Sequence, residues 1–265
     1  MIPLLVGIAA LLILIERLKP ANSLPTVRHW WLRVALINVV QVGIVLLAGL
    51  TWDKWAQGWS LLNLRAHLGI WSSAGICYLV STFIYYWWHR IRHESRFFWR
   101  LCHQLHHSPQ RIEILTSFYK HPVEIFINSL ISTTLTYLLL GLTPEAAALY
   151  TAFTAVAEYF YHWNVKTPRW LGPWFQRPES HRIHHKRSHH TQNYADLPVW
   201  DILFGTYCNP RRPVSACGFR PEREAKVGQM LTFQDVNAPL SPTCIGCGKR
   251  TACLAQRQSS NPTHS

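Results

Sequence analysis

Residues 68–93 read LGIWSSAGICYLVSTFIYYWWHRIRH, and this stretch sets the terms for the rest of the chain. Its first 21 residues, Leu68–Trp88, carry no formal charge. About 20 apolar residues are what an α-helix needs to cross the hydrocarbon core of a bilayer. The stretch then ends in His89-Arg-Ile-Arg-His93, which puts two imidazoles on one helical face, one turn apart. An uncharged helix that stops at a pair of metal-ligand side chains is the pattern from which the remaining sequence is read.

Four further apolar runs accompany it: Ile2–Ile15, Val34–Thr51, Ile125–Leu142 and Ala146–Trp163. The first has only 14 residues and suits a tilted or half-inserted helix. It lacks a basic leader and a small-residue cleavage site, which argues against a cleaved signal peptide. Of the 265 residues, 49% are hydrophobic and 15% are charged, whereas soluble domains carry about 25% charged residues. That balance excludes disorder over most of the chain. Core helices of a large soluble α-protein are the plainer alternative.

The basic residues are unevenly placed. Arg17, Lys19, Arg28 and Arg33 lie between the first two runs, and Arg90, Arg92, Arg96, Arg100, Arg111 and Lys120 follow the third. The other connections hold few or none, and everything from Lys166 onward is basic again. Positive loops favour the cytoplasmic side. The expected fold class is therefore all-α: an integral-membrane bundle of five apolar helices, with a cytoplasmic histidine-rich helical cap. Its N-terminus lies outside and its C-terminus inside. Residues 1–66 would be N-terminal membrane helices, 67–212 a catalytic domain and 213–265 a polar tail. The net charge of +13 fits contact with anionic lipid head groups better than nucleic acid, which is not expected as a partner. Seven cysteines, an odd number, suit a reducing compartment. Cys244 and Cys247 resemble half of a metal-binding knuckle, but no full set of four ligands is nearby.

Histidines dominate the rest. After His89 and His93 come His103-Gln-Leu-His106-His107 and His181-Arg-Ile-His184-His185, each with i, i+3, i+4 spacing. Each box can present two or three imidazoles to a common point. His121 and His162 are further single histidines on the same expected side of the membrane, and His121 is a candidate ligand as well. A catalytic zinc usually takes three protein ligands, so this set is large enough for two metals. Oxygen-activating iron suits an apolar substrate best among the metals that imidazole binds.

The order HxxxH, HxxHH, HPVE, HxN, HxxHH resembles the fatty acid hydroxylase and sterol desaturase superfamily of membrane di-iron enzymes. Asn193-Tyr194 and the segment Trp200-Asp201-Ile-Leu-Phe204-Gly205-Thr206-Tyr207 add to the likeness, with Ala195 in place of a usual Gly. The resemblance implies two iron ions held by the boxes, O2 as co-substrate, a lipid substrate and a separate electron donor (a reductase, ferredoxin or small cytochrome). It also implies that His162 is a ligand, and it draws Asn164, of the HxN motif, into the site. Lys166 stands where some members carry a further histidine.

Glu158, one turn before His162, is either an acceptor that orients His162 or a carboxylate reaching for the interface. Glu124 and Asp201 are expected to anchor basic loops. His189 and His190 are expected in a solvated loop, while His29, His67 and His264 stand apart from any cluster. The function read from these residues is oxidation of a lipid C–H bond, by hydroxylation or desaturation. A membrane metal transporter or sensor is the alternative. A zinc hydrolase is a third reading.

Overall fold

The computed structural model describes residues 2–237 except 213 and 215; the Cys244/Cys247 motif lies outside them. Every regular element among the described residues is helical, apart from a single bridge between Lys186 and Cys217. Five long helices carry the apolar runs: α1 (Ile2–Leu18), α2 (Trp30–Leu50), α3 (Ile70–Glu94), α5 (Pro122–Thr133) and α6 (Pro144–His162). The helix α5 continues as a π-helical stretch through Thr134–Leu139. Between α3 and α5 lies the single turn α4 (Gln104–His107), and after α6 come α7 (Pro178–His184) and α8 (Val199–Leu203).

Local signals set these ends. Thr143 caps α6 by accepting from the Ala146 N–H, with Pro144 at the first position, a placement that leaves no orphaned donor. Proline also opens α5 and α7. Two helical stretches, Trp30–Ala56 and Pro122–Leu139, are long and apolar enough to cross a membrane. The outer surface of α2 is apolar rather than polar: Leu36, Val39, Leu46 and Leu50 are all exposed, the reverse of a helix facing water.

Two cores hold the elements together. Between α3 and α6, Ala74 and Cys77 lie against Leu149 and Tyr150, and small side chains let the two backbones approach closely. Below the boxes, Trp30 and Val34 of α2 pack with Leu105, Tyr119, Phe219 and Met230. Residues 219–236, expected in the polar tail, thus supply part of this core. The helix α1 is held by its one buried carboxylate, Glu16, which accepts from the N–H groups of Ile114 and Asn164.

Candidate metal centre

The three boxes do not each serve one point. The structure sorts nine histidines into two groups: His89, His93, His103, His107 and His184 in one, His106, His162, His181 and His185 in the other. Within each group the ligand nitrogens lie within 4.8 Å of one another. Helix geometry explains the sorting. Residues four apart share a face, whereas adjacent residues diverge by about 100°. His89/His93 and His103/His107 therefore stay together, as do His181/His185, while His106 leaves its neighbour His107 and His184 leaves His185. A π-helical turn, Trp99–His103, leads into the second box; such turns are frequent at functional sites.

The side chains converge nitrogen to nitrogen. The Nε2 atoms of His93 and His103 are 2.9 Å apart, and His181 Nε2 is 3.1 Å from those of both His162 and His185. His89 Nε2, His184 Nε2 and both ring nitrogens of His107 are buried without a partner. Orphaned buried polar atoms are costly, and a metal ion at the first point would satisfy His89 Nε2, His184 Nε2 and one nitrogen of His107. Burial, helped by neighbouring histidines, holds His106, His107, His181 and His185 well below their ordinary pKa, and His103 is pushed down to about 4. Burial likewise lowers His184. These imidazoles are therefore neutral near pH 7, the form that ligates.

Each group has its own outer support. In the first, His89 Nδ1 lies 2.7 Å from the Tyr194 carbonyl and His184 Nδ1 2.7 Å from that of Gln192. His103 Nδ1 faces Glu124 at 3.1 Å, and Glu124 also forms a buried ion pair with Arg92. Glu124 was expected only to anchor basic residues; it reaches the histidine group as well. In the second group, His162 Nδ1 faces the backbone carbonyl of Glu158 at 2.9 Å. The Glu158 side chain turns away to Lys120, whose Nζ lies 2.6 and 2.7 Å from its two oxygens. Of the two readings of Glu158, orientation of His162 by its side chain does not hold: the helix's own carbonyl four residues back faces that ring instead.

Other expected residues fall elsewhere. His121 lies outside both groups: its Nδ1 accepts from the Val123 N–H and caps α5. Asn164 bonds Asn22 through both ends of its amide, tying the α1–α2 connection to the end of α6. Asp201 accepts from the N–H groups of Tyr194 and Ala195 and from the Thr206 hydroxyl, shaping the loop behind His89. His190 corrects the expectation of a solvated loop. It is buried, 4.9 Å from the ring of His107 and 5.2 Å from that of Trp99. Its spacing from the third box gave no helical signal, because a loop carries it back.

A cavity of about 460 Å³ reaches both groups; His89 and His103 of the first line it, as do His106, His162 and His181 of the second. It continues between α2, α5 and α6, and Arg92, Lys120, Glu124, Glu158 and Asp196 give it a charged wall beside the histidines. Burial raises the Asp196 carboxyl to about 7, with Glu158 nearby adding to the rise.

An α-helical frame whose box histidines meet at two points, with two helical stretches of membrane-crossing length, defines a class, and comparison of sequences names it. The fatty acid hydroxylase family matches residues 74–206, half of the chain, and the chain belongs to that family. It is 32% identical over 143 residues to an alkylglycerol monooxygenase of Homo sapiens, covering 52% of this chain and 30% of that protein. An ornithine lipid hydroxylase of Rhizobium tropici is 34% identical over 143 residues, covering 52% and 42%. A sphingolipid C4-hydroxylase of Schizosaccharomyces pombe is 25% identical over 130 residues, covering 48% and 44%. The chain thus spans less than half the length of each of these relatives. No solved structure matches.

Proposed function

We propose that this chain is a multi-pass membrane oxidase that uses two iron ions to hydroxylate a lipid C–H bond. The observation that carries the reading is the pair of buried neutral imidazole groups, five and four strong, opening on one cavity. Iron bound there supplies the O2 chemistry: one oxygen atom enters the C–H bond and the other leaves as water. Two electrons and two protons come from a separate donor, a reductase, ferredoxin or small cytochrome. The chain's own part is to hold nine nitrogens in place, to keep water from the reacting carbon and to aim that carbon. The box histidines, the loops that follow them and the C-terminus would face the cytoplasm, where that donor is found.

The relatives, which are lipid hydroxylases and monooxygenases by name, support the lipid-oxidation part of this reading. They do not favour a transporter. Polar residues do line the cavity between the helices, but Thr136 and Thr151 give their hydroxyl protons to carbonyls of their own helices. The test is direct. Purified protein should bind two irons by plasma emission and consume O2 when a reductant is supplied. Lipid extracts should then contain a product with one added oxygen. Protein that is saturated with iron, reduced, and inert to O2 across membrane lipid extracts would end this reading.

A further inference from the structure

The cavity has two unlike ends. At the histidine end sits the Lys120–Glu158 ion pair, with both side chains largely buried. At the other end α2 and α6 contribute small apolar residues, Val45, Ala48, Gly49, Ala147 and Ala148, while Asp53, Thr133 and Tyr137 add polar groups. Several of these are open to the outside: Val45 is 55% exposed, and Gly49, Ala148 and Thr151 are exposed too. The carboxylate at that end, Asp53, is already engaged by the Thr133 hydroxyl. From Ala148 to Glu158 the wall runs along ten residues of α6, roughly 15 Å at 1.5 Å per residue. The space is therefore a slot, closed and charged at the histidines and open sideways where the helix surfaces are apolar.

We propose that this slot takes one chain of a bilayer amphiphile head first, and that Lys120 and Glu158 read a neutral hydrogen-bonding head. A hydroxyl, amide or glycerol is the class meant. This rests on the oxidase reading of the histidine groups and adds the substrate class to it. The pair explains the choice. Lys120 gives two of its three protons to Glu158 and keeps one to donate, while the carboxylate oxygens keep lone pairs that accept. A group that both donates and accepts satisfies both halves without breaking the pair. A phosphate would compete with Glu158 for Lys120 and bring its charge beside Asp196. A bare alkane would leave the buried pair without its remaining partners. Because the tail leaves sideways, chain length is not measured, and the oxidised carbon lies close to the head.

Full-length protein in nanodiscs, photolabelled with a hexadecanol carrying a diazirine near its tail, tests this. Unlabelled 1-hexadecanol should compete on the order of tenfold better than hexadecane or hexadecyl phosphate, the scale of one well-made hydrogen bond. Tetradecanol and octadecanol should compete about equally well. Label should appear in peptides containing residues 45–49 and 148–151. The double variant Lys120→Met/Glu158→Gln removes both charges together, so neither is left buried alone. It should lose the preference and keep the labelled peptides. In Ala155→Trp, with the slot filled midway, labelling at 148–151 should fall severalfold. Equal competition by alkane or phosphate, or a preference that survives in the double variant, overturns the proposal. Iron content is read on the same samples. Wild-type protein that shows the preference but holds no iron defeats the oxidase reading alone; protein that holds iron and oxidises lipid without the preference defeats the slot alone.

Discussion

The two histidine groups sit side by side on shared helices, yet they are built differently. The first has five imidazoles, and one of them is backed by a buried carboxylate that an arginine holds in place. The second has four, backed only by backbone carbonyls at His162 and, more distantly, at His106, with its nearest ion pair turned towards the cavity. Redundancy and charge therefore favour tight holding at the first point, and sparer ligation with an adjoining polar wall favours reactant access at the second. An open coordination position is what separates a reactive metal site from a structural one.

That contrast can be broken at its strongest point first. His185→Ala leaves three nitrogens in the second group, while His184→Ala leaves four in the first. Both should abolish turnover, but His185→Ala should lose one whole iron of the two and His184→Ala should keep more than one at saturating metal. Plasma emission on detergent-purified variants reads this, and the reverse order would mean that the groups have been ranked wrongly.

Carboxylates sharpen it next. Glu124→Gln should weaken metal at the first group by about 10–100-fold, the range seen when a partner behind a ligating histidine is lost. Glu158→Gln should leave metal affinity within about twofold, because the backbone and not the side chain supports His162. Titration of metal-free protein with iron(II) under anaerobic conditions separates the two.

Smaller effects lie outside both groups. His190→Ala should retain both irons but cost about 1–3 kcal/mol of stability, as a buried ring is removed from beside His107 and Trp99. Asn164→Ala should cost about 1–2 kcal/mol through the lost bonds to Asn22, with iron unchanged. Thermal melting followed by circular dichroism reads both.

Acid should weaken metal-free protein gradually. His103 and His190 titrate near 4 and 3 in the fold, against an ordinary 6.5. The unfolded chain therefore binds protons that the fold refuses, and stability is full above pH 6.5 and declines as pH drops towards 4. A melting temperature that rises on acidification over that range would contradict the buried neutral state.

The legibility of these features in the sequence follows from the distance over which each is determined. The five long helices, and the nine histidines that gather into two groups, could be read because both depend on local spacing: apolar runs of helical length, and imidazoles one turn apart. The sorting into two groups was equally local, since the 100° step between His106 and His107 is visible in the sequence, but a box treated as a unit conceals it. What could not be read depends on contacts made far along the chain. His190 is carried inward by a loop, Glu124 meets His103 across 21 positions, and Phe219 and Met230 reach back to Trp30. His121 was misplaced for the opposite reason: proline at the next position makes it a helix cap, a local signal that the motif reading overrode.

The division of two short turns between the two points has a consequence for assembly. Within α4, His107 belongs to one group and His106 to the other; at α7, His184 and His185 divide in the same way. Fixing the rotation of either turn for one ion fixes it for the other, so the conformational entropy of ordering those turns is spent once. The first ion to arrive would bear the cost of fixing the pair of turns, and the second would find them already fixed. Protein holding a single ion should accordingly be scarce at partial loading, and empty and doubly loaded molecules should dominate the mixture.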